Sequence, residues 1–299
     1  MSQSTTTAPP ISAEAWGLLI ALAIPWGGAF LLFRVLGTAL PPFTLVLARV
    51  GFAVPLLYLA VRLRGGRMDI PWRAFALMGL LNNVIPFALF AWAETRLTSG
   101  LAAILNAATP VMTVLVLSAF RVERLTGLRL AGVVLGFLGV GVLIGPDAWR
   151  KSPDLLAELA CLAATLSYAF SALWARRLRQ IDPFKAATGQ LMCSTLILLP
   201  LAAVLEQPWT LPMPDGHIWL AIFAFSFICT AFAYILFFRI VAIAGPGNVM
   251  LVTFLIPVIA VILGAIVLGE AVSLSALAGM VLIAAGLAAI DGRLIRRFR

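Results

Sequence analysis

Charge is scarce in this 299-residue chain: 11% of its residues are Asp, Glu, Lys or Arg, where a soluble domain carries about 25%. Such a chain cannot clothe a water-facing surface, so its exterior must meet hydrocarbon. Acidic groups are the scarcest at depth, because all twelve fall at or near the ends of apolar stretches or in loops. Histidine occurs once, at His217, at the edge of an apolar stretch. With no clustered carboxylates and no HExxH-type spacing, the chain holds little machinery for catalysis and reads as no enzyme, with no cofactor and no metal. The three cysteines, Cys161, Cys193 and Cys229, lie inside apolar stretches without metal-ligand spacing and read as buried free thiols. No stretch looks like an ion filter, which argues against a channel. The first ten residues carry no basic charge, so no cleaved leader is expected and the first apolar block should stay as a span.

What is abundant is apolar sequence, 63% of the chain with a mean hydropathy of +1.08. A helix crosses a bilayer in about 20 apolar residues. Ten such blocks are read, at 13–33, 43–62, 71–93, 100–119, 126–144, 155–177, 183–205, 216–240, 247–268 and 272–290. None alternates in polarity as a barrel strand would. An all-α membrane protein is expected, with short mobile or basic tails at 1–12 and 293–299.

The net charge of +9 calls for no nucleic acid, because it is distributed by topology. With the N-terminus inside, the inner segments 62–73, 121–129, 176–185, 239 and 293–299 hold nearly all the arginines. The outer loops keep only Arg34, Arg96, Arg150 and Lys151. That bias predicts a multi-pass protein of the plasma (inner) membrane with both termini cytoplasmic.

The chain also repeats itself. Gly100, Pro110, Glu123, Gly132, Gly139 and Gly145 match Gly247, Pro257, Glu270, Gly279, Gly286 and Gly292 at a constant offset. The first two spans align more loosely, Ala29–Phe30 with Ala169–Phe170 and Pro42–Phe43 with Pro183–Phe184. Five spans is an odd number, so the second copy (155–292) must lie inverted relative to the first (13–145), joined by a linker at 146–154. Accordingly the basic loop at 121–129 has a counterpart without Lys or Arg at 268–276. Inverted halves are a building plan of secondary transporters, whose substrates bind between them.

The segments "LNAATPVMTVLVLSAFRVERLTGLRLAGVVLGFLGVGVLIG" and "VTFLIPVIAVILGAIVLGEAVSLSALAGMVLIAAGLAAIDG", with "AIPWGGAF" in the first span, resemble the two repeats of the EamA family of the drug/metabolite transporter superfamily. The resemblance implies a ten-helix carrier of small metabolites, often an exporter of amino acids, and its aromatic interior is similar to that of aromatic amino-acid exporters. The partners so implied are a small-molecule substrate and membrane lipids, and ten spans suffice for a monomer. A lipophilic-cation exporter of the same fold, or a proton-coupled one, is the alternative. Each would want a carboxylate deep in the path, so facilitated export is the expectation.

Helical spacing groups Asn83, Phe87 and Phe90 on one face, matched by Thr230, Tyr234 and Phe237 in the second copy. Further candidates are Trp26, Phe30 and Phe33; Asn106, Thr109, Pro110 and Thr113; Ser167, Ser171 and Trp174; and Thr253 with Pro257. Polar side chains at this depth face a cavity or glue helices together; a substrate cavity is expected, with Pro110 and Pro257 as hinges. The helical glycines serve close packing. Glu123 and Glu270 precede the N-caps Thr126 and Ser273 and have a structural role in the loops. Arg49, about 9 Å into the second span, is expected to snorkel to the outer interface or anchor a loop, with a substrate carboxylate as the sharper alternative.

Overall fold

A computed structural model describes residues 11–69, 71–97, 99–122, 126–144, 154–268 and 274–291. Among them every regular element is helical. The first copy comprises α1 (Ala13–Leu36), α2 (Pro42–Gly51), α3 (Ala53–Leu63), α4 (Trp72–Gly79), α5 (Ile85–Glu94), α6 (Ser99–Asn106), α7 (Thr109–Ala119) and α8 (Gly127–Ile144). The second comprises α9 (Leu155–Ala175), α10 (Pro183–Leu205), α11 (Gly216–Ser226), α12 (Ala233–Ala244), α13 (Pro246–Val249), α14 (Val252–Leu268) and α15 (Leu274–Asp291). Five continuous stretches, Pro42–Leu63, Trp72–Glu94, Leu155–Leu178, Pro183–Leu205 and Gly216–Ala244, are long and apolar enough to cross a membrane. Five shorter apolar helices accompany them.

The expected blocks are helical, but several are interrupted. A π-helical turn at Leu80–Val84 joins α4 to α5, and another at Phe227–Phe232 joins α11 to α12. These two wide turns occupy matching positions of the repeat. A second interruption separates α6 from α7 at Ala107 and Ala108, and α13 from α14 at Met250 and Leu251. Here the copies differ by about one turn. Pro110 opens α7 at a position where a missing N–H costs little, whereas Pro257 lies inside continuous α14. The two prolines thus sit differently in their helices, and only Pro110 lies beside its copy's break. Gly245, at φ 87°, makes the tight turn from α12 to α13 that a side chain would resist.

The inversion is visible where α8 meets α15. A Cβ added at Gly132 would lie 2.7 Å from the Gly286 carbonyl, and one at Gly139 would lie 3.0 Å from that of Gly279. Residue numbers thus rise along one helix as they fall along the other, so these equivalent helices run antiparallel. Since Gly132 corresponds to Gly279 and Gly139 to Gly286, the contact maps onto itself when the copies are exchanged. The remaining packing follows the same rule: α9 lies against α5 and α7, and α1 against α12 and α14. α10 packs on α2 and on α4, and α11 packs on α2. The interface between the copies is therefore the middle of the molecule.

Thr126 caps α8 as expected, accepting from the Arg129 N–H at 3.3 Å. All three cysteines are buried and free. Glu123, Glu270, Ser273 and most of the expected linker and tails lie outside the described residues.

Candidate functional site

A π turn widens the helix by one residue and leaves carbonyls for partners from elsewhere. In both copies those partners come from the opposite half. The Ser167 hydroxyl donates to the Leu81 carbonyl at 2.7 Å, and the Trp26 indole N–H donates to the Cys229 carbonyl at 3.2 Å. Within the second turn the Thr230 hydroxyl donates to the Phe225 carbonyl at 2.9 Å, filling the wide gap.

The side chains of the turns are likewise tied across the interface. Asn82 donates to Gln190 Oε1 at 3.3 Å, and Gln190 Nε2 donates to Asn83 Oδ1 at 3.0 Å. Asn83 Nδ2 donates to Ser194 Oγ at 2.8 Å, and the Tyr234 hydroxyl donates to Asn83 Oδ1. Ser171 reaches Asn82 Oδ1 at 3.0 Å. On the other side, Arg49 Nε donates to Thr230 Oγ1 at 3.0 Å. Gln190 and Arg49 are counterparts under the loose alignment of the second spans, so the two π turns are gripped from equivalent positions, one by an amide and one by a guanidinium.

Beside this lattice lies a cavity of about 80 Å³, bounded by Trp26, Ala29, Phe33, Arg49, Asn82, Phe87, Phe90, Glu94, Asn106, Thr109, Tyr168, Tyr234, Phe237, Met250, Thr253 and Ile256. At roughly 10–15 Å³ for each water it has room for several. Seven of these residues are aromatic: Tyr234 stands edge-on to Trp26 at 6.1 Å and to Phe237 at 5.7 Å, and Phe90 stacks on Tyr168 at 6.4 Å. Phe33 and Glu94 also border a larger vestibule of about 710 Å³ around residues 37–42 and 94–97. The cavity therefore adjoins a wide mouth on the side away from the N-terminus.

Of the residues singled out by helical spacing, Trp26, Phe33, Phe87, Phe90, Asn106, Thr109, Tyr234, Phe237 and Thr253 share this wall. Thr109 and Thr253 each donate to the carbonyl three residues back, at 2.6 and 2.8 Å, covering the helix breaks. Asn83, Ser167, Ser171 and Thr230 stand behind the wall as the ties just described. Trp174 donates to the Ala74 carbonyl at 2.9 Å and packs under Arg177, away from the cavity. Thr113 is buried elsewhere, and the Phe30 side chain lies outside the described residues.

Two charged residues change the sequence picture. Arg49 does not snorkel: it is 4% exposed, with its guanidinium over the rings of Phe87 at 4.0 Å, Phe225 at 4.4 Å and Phe33 at 5.4 Å. These faces and Thr230 draw it inward, because cation–π contacts are worth most where water is excluded. Glu94 was readable only as a span-end residue, yet it borders both cavities, because α5 carries its last turn into the mouth. Tyr168 and Asn82 join the wall from α9 and the first π turn, neighbours of Ser167 and Asn83 that face differently.

The EamA-like transporter family matches residues 14–145 and 155–290. The chain belongs to that family. Its match in two blocks coincides with the two inverted copies, and it makes the chain a membrane transporter of small molecules. An uncharacterized transporter, YvbV, of Bacillus subtilis is 24% identical over 92% of this chain and 90% of its own length. A probable amino-acid metabolite efflux pump of Salmonella typhimurium is 27% identical over 90% and 92% respectively. The uncharacterized inner membrane transporter YedA of Escherichia coli is 27% identical over 86% and 84%. A protein of known crystal structure shares the fold with a TM-score of 0.78, covering 96% of this chain and 99% of its own at 22% identity. In inverted-repeat transporters generally, substrates bind at the interface between the repeats.

Proposed function

We propose that this chain is a secondary carrier that exports small neutral metabolites, amino acids including aromatic ones, by alternating access around the central cavity. The observation that carries the reading is a small aromatic cavity with a few polar groups at the interface of two antiparallel copies. Rocking one copy against the other would exchange its mouth from one side to the other. Trp26, Phe87, Phe90, Tyr234 and Phe237 hold apolar side chains, while Asn106, Thr109 and Thr253 offer hydrogen bonds to polar head groups. Ten crossings with cytoplasmic termini place the vestibule outside, and Pro110 and Pro257 serve as hinges. The efflux-pump relative supports the substrate class.

Export down the substrate gradient is the first expectation for driving force. Glu94 in the mouth favours a second reading, in which proton exchange accompanies transport. A lipophilic-cation cargo is disfavoured by the buried positive charge of Arg49. The test is counterflow in proteoliposomes with radiolabelled amino acids, quaternary amines and sugars, with and without a pH gradient. Saturable counterflow of amino acids supports the proposal, and steady conductance or exclusive movement of quaternary amines overturns it.

A further inference from the structure

Arg49 carries a full charge into the protein, and no acidic side chain among the described residues pairs with it. Removing an ion from water without a counter-charge is costly. Its Nε is used by Thr230, and its Nη2 reaches only the Cys229 carbonyl at 3.5 Å. Three aromatic rings flank the guanidinium but accept no strong hydrogen bond, so its outer edge of N–H donors is left for something else. The equivalent position in the other copy is Gln190, which holds its π turn with a neutral amide. A cation is therefore not needed to grip the turn.

Glu94 lies on the wall of the same cavity and makes no ion pair with Arg49 or with any other described residue. A guanidinium and a carboxyl group thus border one small cavity without forming an ion pair with each other. A molecule bearing both complementary charges would satisfy them together.

We infer that Arg49 is the carboxylate-recognising residue of the cavity and Glu94 its opposite pole, so the site selects zwitterions. The substrate carboxylate meets the free edge of the guanidinium fork, a geometry suited to two parallel charge-assisted bonds. The substrate ammonium lies toward Glu94 at the mouth, with its apolar side chain among the aromatic rings. This deepens the carrier reading and rests on it for the direction of transport only.

The test is binding to the purified full-length protein, followed by tryptophan fluorescence or calorimetry, with phenylalanine, phenethylamine and 3-phenylpropanoate. Removing the carboxylate should weaken binding about ten- to hundredfold, the scale of a lost charge-assisted bond. In R49Q, which copies the residue of the other half, phenylalanine and phenethylamine should bind alike. In E94Q the gap between phenylalanine and 3-phenylpropanoate should close. R49K, which keeps the charge without the fork, should fall between. Equal binding of phenylalanine and phenethylamine by the wild type overturns the inference, as does a failure of phenylalanine itself to bind, and these outcomes stand even where R49Q fails to fold. A folded R49Q that still prefers the acid also overturns it. Amino-acid counterflow unchanged in R49Q sinks the inference and spares the carrier reading. Carboxylate binding that R49Q abolishes, in a wild type that moves no amino acid, does the reverse.

Discussion

Thr230 does two jobs with one hydroxyl, donating to Phe225 and accepting from Arg49. At this residue scale, T230V keeps the shape and removes both bonds. A buried guanidinium N–H left without an acceptor costs about 1–3 kcal/mol, so T230V should melt earlier in detergent than the wild type. An unchanged melting temperature would mean that Arg49 finds another acceptor. The same scale explains which polar residues meet the cavity. Asn82 and Asn83 are neighbours, and the wide turn sends Asn83 into the Gln190–Ser194–Tyr234 ties and Asn82 to the wall. Helical spacing alone groups Asn83 with Phe87 and Phe90, because it presumes an unbroken α-helix.

At the scale of elements, the approach of α8 to α15 is set by glycine. A Cβ at Gly279 would stand 2.4 Å from the Leu143 backbone nitrogen, while one at Gly17 would meet nothing within 4 Å. Substitution G279A must therefore push two backbones apart, with an expected loss of about 1–3 kcal/mol. G17A should stay within about 1 kcal/mol of the wild type, on the favourable side because alanine suits a helix better. Thermal unfolding of both variants in one detergent checks the contrast, and equal effects would contradict the close approach. Other elements are tied across the halves by hydrogen bonds. The Glu206 carboxylate at the end of α10 accepts from the Phe43 and Thr44 N–H groups at 2.8 and 2.6 Å, capping α2 where Pro41 offers no side-chain cap.

Partly exposed ion pairs lie at both ends of the molecule, two joining the halves and one joining the first half to the last residue of the linker. Glu14 meets Arg239 at 2.7 Å and Asp69 meets Lys185 at 2.7 Å near the N-terminal side, while Arg96 meets Asp154 at 3.0 Å at the opposite end. The hydrogen bond from Lys185 holds the Asp69 carboxyl below the usual carboxylate range. A carboxyl lowered by folding contributes stability above its unfolded value, near about 3.9, and loses it as pH falls through the folded value. Wild type should therefore exceed D69N in melting temperature at neutral pH, and the two curves should converge below about pH 4. A constant gap across that range would remove Lys185 from the account. Topology is open to a second measurement at this scale. With cytoplasmic termini, an impermeant maleimide should label T38C in intact cells and R64C only after permeabilisation, and the opposite pattern would reverse the proposed orientation.

Composition and hydropathy determined that the chain is helical and faces lipid. The constant spacing of glycine, proline and glutamate determined that it is built twice. Both properties are local or periodic, so they survive in one dimension. Tertiary structure decided where the helices widen, because carbonyls at both π turns are met by side chains from the other half. It also turned Arg49 inward and carried Glu94 to the cavity, since the aromatic faces and the mouth that receive them come from residues distant in the chain. Sequence names the polar and aromatic groups, and packing between the inverted copies chooses which of them face the cavity.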